Sequence, residues 1–587
     1  MFLIPGFTPD DKVPDVVARN TWGAGKQSTG AFPLYCVLFG NPGSAGTIEL
    51  NTRTPCTTRE DADTLCEARS ELARMAHAAL DVPGVTLMLV GVEEAAGATA
   101  ATFTLDIGGS WTTAGELPLQ FDEEVVRVPI AASHTTTTAG DAVEDAVNGA
   151  QDGRLFCVAA NTTGRIVFTV FSKGVRGNQH TVFIDRRFLP SGMTVTADQL
   201  SDVVKAGTGS GPAMTATGSD TANHTYVITI TTGGTNSGTA QYTLTVDGGT
   251  PSSPAALPSG SFALPGHTDI TMNAPAGTYV LNNTYTFSGV ATLANGGIPF
   301  FGGAGTDDID DALDGTESLQ NDYVAAAHND ATNVGKIEDS CNAKAAWDVA
   351  LLQNYVIAHN TPSQAAAIAI GQTTMNDQLG GFAWDPLGVE HPSRTAARLA
   401  ALFSSLEGAQ PNTNYDDMVI PGAAPHFREA DSPSRPTLKS SLNNSLMPLV
   451  TINGEKCIKR AINSRSLRGT TPDYRTYDRG DTIVPIRVRK DLVQLGKDIK
   501  AVNPYDGPDV EEGLPPEGTF TPRLWESAVN AYLLERQSPR YNWLEQVEAN
   551  PCVAVWDPDA KRTMSEVPTI AKHQFHQLGI NVNQTAG

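Results

Sequence analysis

The sequence predicts a mixed α/β (α+β) protein: a core α/β domain discontinuous in sequence, with inserted all-β, sandwich-like modules and extended N- and C-terminal arms. Three observations carry this. Residues 34–92 read strand, helix, strand, the signature of a parallel crossover. From about 95 to 292 the chain turns Thr-, Gly- and Ser-rich, with short alternating runs typical of a sandwich. Near 298 the mixed helix and strand pattern resumes.

Residues 1–30 read as an arm. Pro5, Pro9 and Pro14 precede a short extended run, Val16, Val17, Ala18 and Arg19, and then a Gly/Ser-rich stretch, with no apolar period to build a core. Residues 31–94 are the first part of the core domain. The apolar run 34–39 is a strand, Thr57 and Glu60 offer a capping box for a helix reaching about Leu80, and Leu65, Leu72, Met75 and Ala79 share one face of it. Pro83-Gly84 ends that helix, and 85–92 is a second buried strand.

Residues 95–195 form a first β-rich insertion, with strands expected at 102–107, 125–130, 165–171 and 181–184 and a helix at 138–150. Residues 196–292 form a second, outer sandwich-like insertion, with strands expected at 226–231, 242–246, 279–281 and 285–287. The core resumes over 293–435. Its short apolar run 298–301 leads to a loop and a helix with acids at its start, where the helix dipole favours them. A long helix is expected at 337–359, a buried strand at 365–370 and a helix at 396–406.

Residues 436–575 are the C-terminal domain, organised by a hairpin within 446–465. Asn453-Gly454 suits a type I′ turn, because both residues tolerate positive φ, and Val450, Ile452, Lys456 and Ile458 lie on its strands. Each face mixes apolar and basic residues, as in half-buried strands. Two strands alone are marginal, so partners are needed; 481–489 (DTIVPIRVR) and 552–557 (CVAVWD) are the expected ones. A Pro/Gly/acid-rich connector at 504–522, a helix at 525–535 and a short helix near 567–577 follow. Residues 576–587 are the C-terminal arm, with Gly579, Ile580, Asn581 and Val582 as its extended run.

At 587 residues the chain has room for about three or four domains, and 40% hydrophobic content supports large cores. A net charge of −24 argues against a nucleic-acid-binding surface. No apolar run approaches the length of a membrane span, and the start MFLIPGFTPDD does not read as a signal peptide. The seven cysteines are scattered without CxxC spacing, which points to buried reduced thiols. The Asn-x-Ser/Thr sequons carry no weight without a secretion signal.

Catalytic signatures are weak. The loop 40–46 follows a strand but is neither GxGxxG nor a P-loop, and Pro42 stands where a GxSxG elbow needs Gly. The acids Asp307, Asp308, Asp310, Asp311, Asp314 and Glu317 do not fit an EF-hand loop and read as helix capping. The eleven histidines show neither HExxH nor HxH spacing; His573 and His576 are three apart on an expected helix. Neither an enzyme, a cofactor nor a metal is expected.

Three stretches together resemble the tail sheath proteins of contractile-tailed bacteriophages of the Mu-like type. One is 34–75, with its strand, the loop GNPGSAG, the Pro-Cys-Thr-Thr lead-in and a helix containing SELARM. Another is 300–323, FFGGAGTDDIDDALDGTESLQNDY, similar to that family's return from its insertion. The third is 441–492, where a short helix, the Asn-Gly hairpin, a segment with Pro472-Asp473 and a strand to Val488 follow the family's order. The tail with its Trp-Asp-Pro turn at 556–558 fits too, whereas 196–292 has no counterpart.

The resemblance implies a structural subunit of the virion, made in the host cytoplasm and stacked as hexameric rings around the tail tube. It implies that the arm strands Val16, Val17, Ala18, Arg19 and Gly579, Ile580, Asn581, Val582 pass to neighbouring copies and dock beside the hairpin of Val450, Ile452, Asn453, Gly454, Lys456 and Ile458. Contraction from a metastable extended state would then drive the tube through the host envelope without nucleotide. The implied partners are further copies of the chain, the tail tube protein, and baseplate and tail terminator proteins, with no nucleic acid and no membrane insertion. Two other classes compete: a secreted or virion-surface β-rich adhesin, and a hydrolase on the α/β domain, for which the sequence offers no nucleophile–base pair.

Overall fold

The structure, a computed structural model, describes residues 34–572 except 202, 210, 347–350, 409, 474–476, 511–515, 540 and 560. Both arm strands, 16–19 and 579–582, and the pair His573/His576 lie outside the described residues.

Nine strands form the largest sheet among the described residues: β1 (Tyr35–Gly40), β2 (Arg53–Cys56), β3 (Thr86–Gly91), β4 (Tyr323–Ala326), β5 (Asn354–His359), β6 (Gly380–Trp384), β7 (Met418–Val419), β8 (Met447–Ile452) and β9 (Glu455–Ile458). Their spatial order is β2-β3-β1-β4-β5-β6-β8-β9-β7. From β3 to β8 all neighbours are parallel; β2 and the pair β9 and β7 are antiparallel at the two edges. Central strands such as β1 and β4 are buried along their length, as expected where helices cover a parallel sheet. Helices Glu71–Leu80 and Pro392–Glu407 pack against each other and across β1, β3, β4 and β5. Since β1 is followed by β3 on one side and β4 on the other, the winding reverses between β1 and β4.

Between β3 and β4 the chain builds two further β-rich bodies. The first has two four-stranded sheets, Met193–Asp198 / Thr102–Gly109 / Arg165–Val170 / Cys157–Thr162 and Ile298–Pro299 / Thr181–Ile184 / Gly115–Phe121 / Glu124–Ile130, around Phe103, Phe121, Phe168 and Phe300. The second packs a five-stranded sheet containing His224–Thr232 against a three-stranded one containing His267–Ala274, around Tyr226, Ile228, Met272 and Phe287. A fourth apolar cluster, with Trp525, Val529 and Leu544, lies near the C-terminus.

Several expectations are corrected. The capping box sits one residue on, at Thr58 and Asp61, and the expected single helix breaks at the extended residue Cys66; Ser70 caps a second helix, Glu71–Leu80. The long helix over 337–359 is instead Ala331–Lys344 followed by β5. Residues 365–370 are part of a helix, Gln364–Thr373, capped by Ser363 and built on alanine, the strongest helix former. The run 279–281 contributes only Thr278–Tyr279. Residues 567–572, the described part of the last expected helix, contain no helix.

The largest correction concerns 481–489. It lies inside a 24-residue helix, Arg479–Val502, with Pro485 in its interior. The run VPIRV mimics a strand because the helix is buried on more than one side. Ile483 and Ile486 join the sheet's core, and Val488 and Leu492 join the C-terminal cluster. Tertiary burial there overrides β propensity and the cost of proline.

Candidate assembly site

The hairpin β8–β9 forms as the sequence predicts. Asn453 and Gly454 have φ of 53° and 81°, the pair of positive values that type I′ requires. The register brings Leu449 opposite Ile458, Val450 opposite Cys457, Thr451 opposite Lys456 and Ile452 opposite Glu455. Its partners differ from the expected ones: β6 runs parallel to β8, and β7 pairs with β9. Neither 481–489 nor 552–557 pairs with it.

The hairpin is also buried rather than half-buried. Lys456 is 2% exposed because its Nζ reaches both oxygens of Asp385, at 2.9 and 2.8 Å. His426 Nε2 lies 3.0 Å from the same carboxylate. Burial pushes the Asp385 carboxyl up, but Lys456 and then His426 outweigh it and hold it well below the usual carboxylate range. On the outer side of β9, the Ile420 N–H donates to the Lys456 carbonyl at 2.9 Å, continuing the pairing of β7. A strand arriving beside β9 therefore meets the two-residue β7 first.

Both ends of the described chain lie near helix Arg479–Val502. At the amino end of β1, the Tyr35 N–H donates to Asp322 Oδ2 at 2.8 Å, and Lys490 from helix Arg479–Val502 binds the same carboxylate. At the other end, the Lys572 N–H donates to the Trp543 carbonyl at 3.2 Å and the Glu545 N–H to that of Ile570 at 3.3 Å. Leu544 shares its apolar cluster with Val488 and Leu492 of the same helix.

The same cluster takes in a two-stranded antiparallel sheet, β10 (Val553–Asp557) and β11 (Arg562–Glu566). It carries no third strand among the described residues. Side chains cap its edges instead: the Ala554 N–H donates to Glu526 at 2.6 Å and the Thr563 N–H to Asp506 at 3.1 Å. Val553 and Val555 are exposed.

The opposite, carboxyl end of the parallel strands is where α/β sheets hold ligands, at the point where the winding reverses. Here the protein fills it. Arg176, on the turn Val175–Gln179, inserts its guanidinium between Glu71 (Nε to Oε2, 3.0 Å) and Asp307 (Nη2 to Oδ2, 2.7 Å). Asp307 also accepts the Ala95 N–H at 2.7 Å. Gln179 and Asn329 exchange amide hydrogen bonds of 3.0 and 3.1 Å. The cavity that remains, lined by Arg69, Phe156, His180 and His391 among others, is about 10 Å³, room for no more than a water.

Further acids of the 307–317 run are paired as well: Lys336 bridges Asp308 and Asp310 at 2.6 and 2.7 Å. Around the cavity, Arg398 binds Glu390 and Asp81, and Arg394 binds Glu123. Ser393 Oγ lies 2.8 Å from His391 Nδ1, the contact a hydrolase would need. Both belong to the first turn of Pro392–Glu407, where the His391 ring accepts the Ser393 N–H, and both are buried. Burial, and then the neighbouring His180, push the His391 pKa down to about 3, so the ring is neutral.

Of the residues singled out in sequence, Val450, Ile452, Asn453, Gly454, Lys456 and Ile458 come together in one hairpin, and the arm strands lie outside the described residues. Sequence reading missed Asp385, His426 and Arg176, which no short-range spacing links to their partners.

No protein-family model matches the chain, and no curated protein matches it. Among solved structures, the chain is similar over most of its length to a sheath tail protein from Desulfitobacterium hafniense, at 12% identity and a TM-score of 0.39, covering 93% of this chain and 99% of that one. A sheath tail protein from Listeria innocua gives 10% identity and a TM-score of 0.40, covering 92% and 96%. The baseplate of the anti-feeding prophage gives 11% identity and a TM-score of 0.30, covering 45% and 69%. At these scores the likenesses assign no role to any residue.

Proposed function

We propose that the chain is a structural subunit of a contractile bacteriophage tail sheath. The observation that carries the reading is that both ends of the described chain run to helix Arg479–Val502, whose apolar cluster also takes in the two-stranded sheet β10–β11. The sheet is backed by helix Pro522–Gln537, and added strands would extend it. In this reading residues 1–30 and 576–587 are arms. Residues 16–19 and 579–582 of neighbouring copies add to sheet edges by backbone hydrogen bonding. An arm docking on β10–β11 must displace the Glu526 or Asp506 cap, and one docking at the hairpin of Asn453-Gly454, where β7 intervenes, must extend the sheet beyond β7.

The remaining assignment follows the same logic. Residues 31–94 and 293–435, with the hairpin strands 447–458 that complete their sheet, form the core domain, 95–195 is an inserted module, 196–292 an outer one, and the rest of 436–575 bears the tethers. Hexameric rings stack around the tail tube between baseplate and terminator. The arms keep copies linked while the rings rotate and slide from a metastable extended state, which drives the tube through the envelope. Closure of the crevice by Arg176 favours a structural over a catalytic role for this face.

The test compares the full chain with deletions of 1–20 and 578–587 by negative-stain microscopy and gel filtration. The full chain forms striated hollow cylinders, and each deletion stays folded but monomeric. Normal cylinders from either deletion would refute the arm assignment.

A further inference from the structure

In the outer β body, Asp220, His224 and His267 each present a ligand atom within 4.8 Å of the others. His224 opens the strand His224–Thr232 of the five-stranded sheet, and His267 opens His267–Ala274 of the facing three-stranded sheet. Asp220 precedes both, in the segment that joins Thr215–Gly218 of the three-stranded sheet to His224–Thr232, and is buried. The trio therefore spans the mouth of the sandwich.

The hydrogen bonds around the trio fix its protons. His224 Nδ1 lies 2.8 Å from Asp247 Oδ2, and a carboxylate can only accept, so that nitrogen carries the hydrogen. The Tyr226 phenol donates to Asp220 Oδ2 at 2.8 Å and lies 2.9 Å from His267 Nδ1. Its one proton is spent on Asp220, so His267 Nδ1 must donate to the phenol oxygen. In the neutral form each ring thus keeps its lone pair on Nε2, the tautomer of a metal-ligating histidine held by an outer carboxylate or hydroxyl. The backbone is fitted to the carboxylate too: a Cβ on Gly289 would come within 2.3 Å of Asp220 Oδ2.

We propose that Asp220, His224 and His267 bind a zinc-class divalent cation that ties the two sheets of the outer body together, with Asp247 and Tyr226 orienting the ligands. Two imidazoles and one carboxylate suit Zn²⁺ rather than Ca²⁺ or Mg²⁺, which take all-oxygen sets. Water completes the coordination. The proposal is independent of the sheath assignment.

The experiment uses the tag-free full chain, stripped with chelator and titrated with Zn²⁺ by calorimetry, with bound metal counted after gel filtration. One zinc per chain and a raised unfolding temperature are expected. His224→Ala and His267→Gln each weaken binding at least about tenfold, and Asp247→Asn weakens it less. Stoichiometric binding that survives the double variant His224→Ala/His267→Gln overturns the proposal, and so does a chain that retains no zinc. Should a variant misfold by circular dichroism, Co²⁺ loaded into the unaltered chain decides. An intense visible band from a low-coordinate nitrogen/oxygen site is expected; the weak spectrum of hydrated cobalt would refute it.

Discussion

Lys456 shows how one side chain carries information that its neighbours in sequence do not. In the alternating run after Gly454 it reads as a mark of exposure, yet it is buried against Asp385 with His426 beside them. Removing one member of such a pair strands the other charge, so Lys456→Met should cost about 3–5 kcal/mol in urea unfolding, and Asp385→Leu added to it should recover most of the loss. The pairing was not legible because Asp385 lies 71 residues upstream. His391 predicts a pH dependence. Its folded pKa of about 3 lies below the ordinary histidine value of about 6.5, so the unfolded chain takes up the proton first. Stability is therefore fully present above about pH 6.5 and falls toward pH 3, by at most about 1.4 kcal/mol per pH unit from this group. The depressed Asp385 adds a loss in the same direction, through the carboxylate range. His391→Asn, which can still cap its helix, should flatten the slope between about pH 6.5 and 5 in urea midpoints.

At the scale of elements, the sequence spoke clearly where local chemistry decides. The Asn453-Gly454 turn, the crossover β1 to β3, the strand Thr181–Ile184 and the helix Pro392–Glu407 all follow from turn residues, caps and periodicity. It misled where burial decides. Residues 481–489 carry a strand's β-branched pattern but sit in a helix that bridges two apolar clusters, whereas the alanine-rich 365–370, expected as a buried strand, lies in a largely exposed helix that alanine propensity favours. The turn offers a clean test. A Cβ at Gly454 would touch nothing, so Gly454→Val isolates the backbone cost of φ +81°, expected at about 1–3 kcal/mol in thermal or urea unfolding. The Asp220, His224 and His267 cluster was invisible at this scale as well, since Asp220 and His224 are near each other but His267 reaches them only through the packing of two sheets.

For the whole molecule, the parallel sheet separates two tasks. Its carboxyl ends, where a ligand crevice would open, are closed by Arg176 and the ring of ion pairs around it, which fastens the first β-rich body to the core. At its amino ends Asp322 joins the start of β1 to helix Arg479–Val502, whose apolar cluster also takes in β10. Glu71→Gln would leave the Arg176 guanidinium short of one carboxylate and should lower the unfolding midpoint of the first β-rich body before that of the sheet, as read by hydrogen exchange. The central claim is that the termini are shared between copies. A cryo-electron microscopy reconstruction of cylinders assembled from the full chain tests it most directly. The account predicts that residues 16–19 or 579–582 of adjacent copies run as added strands on β10–β11 or beyond β7. Density in which both termini pair only with their own chain would contradict it.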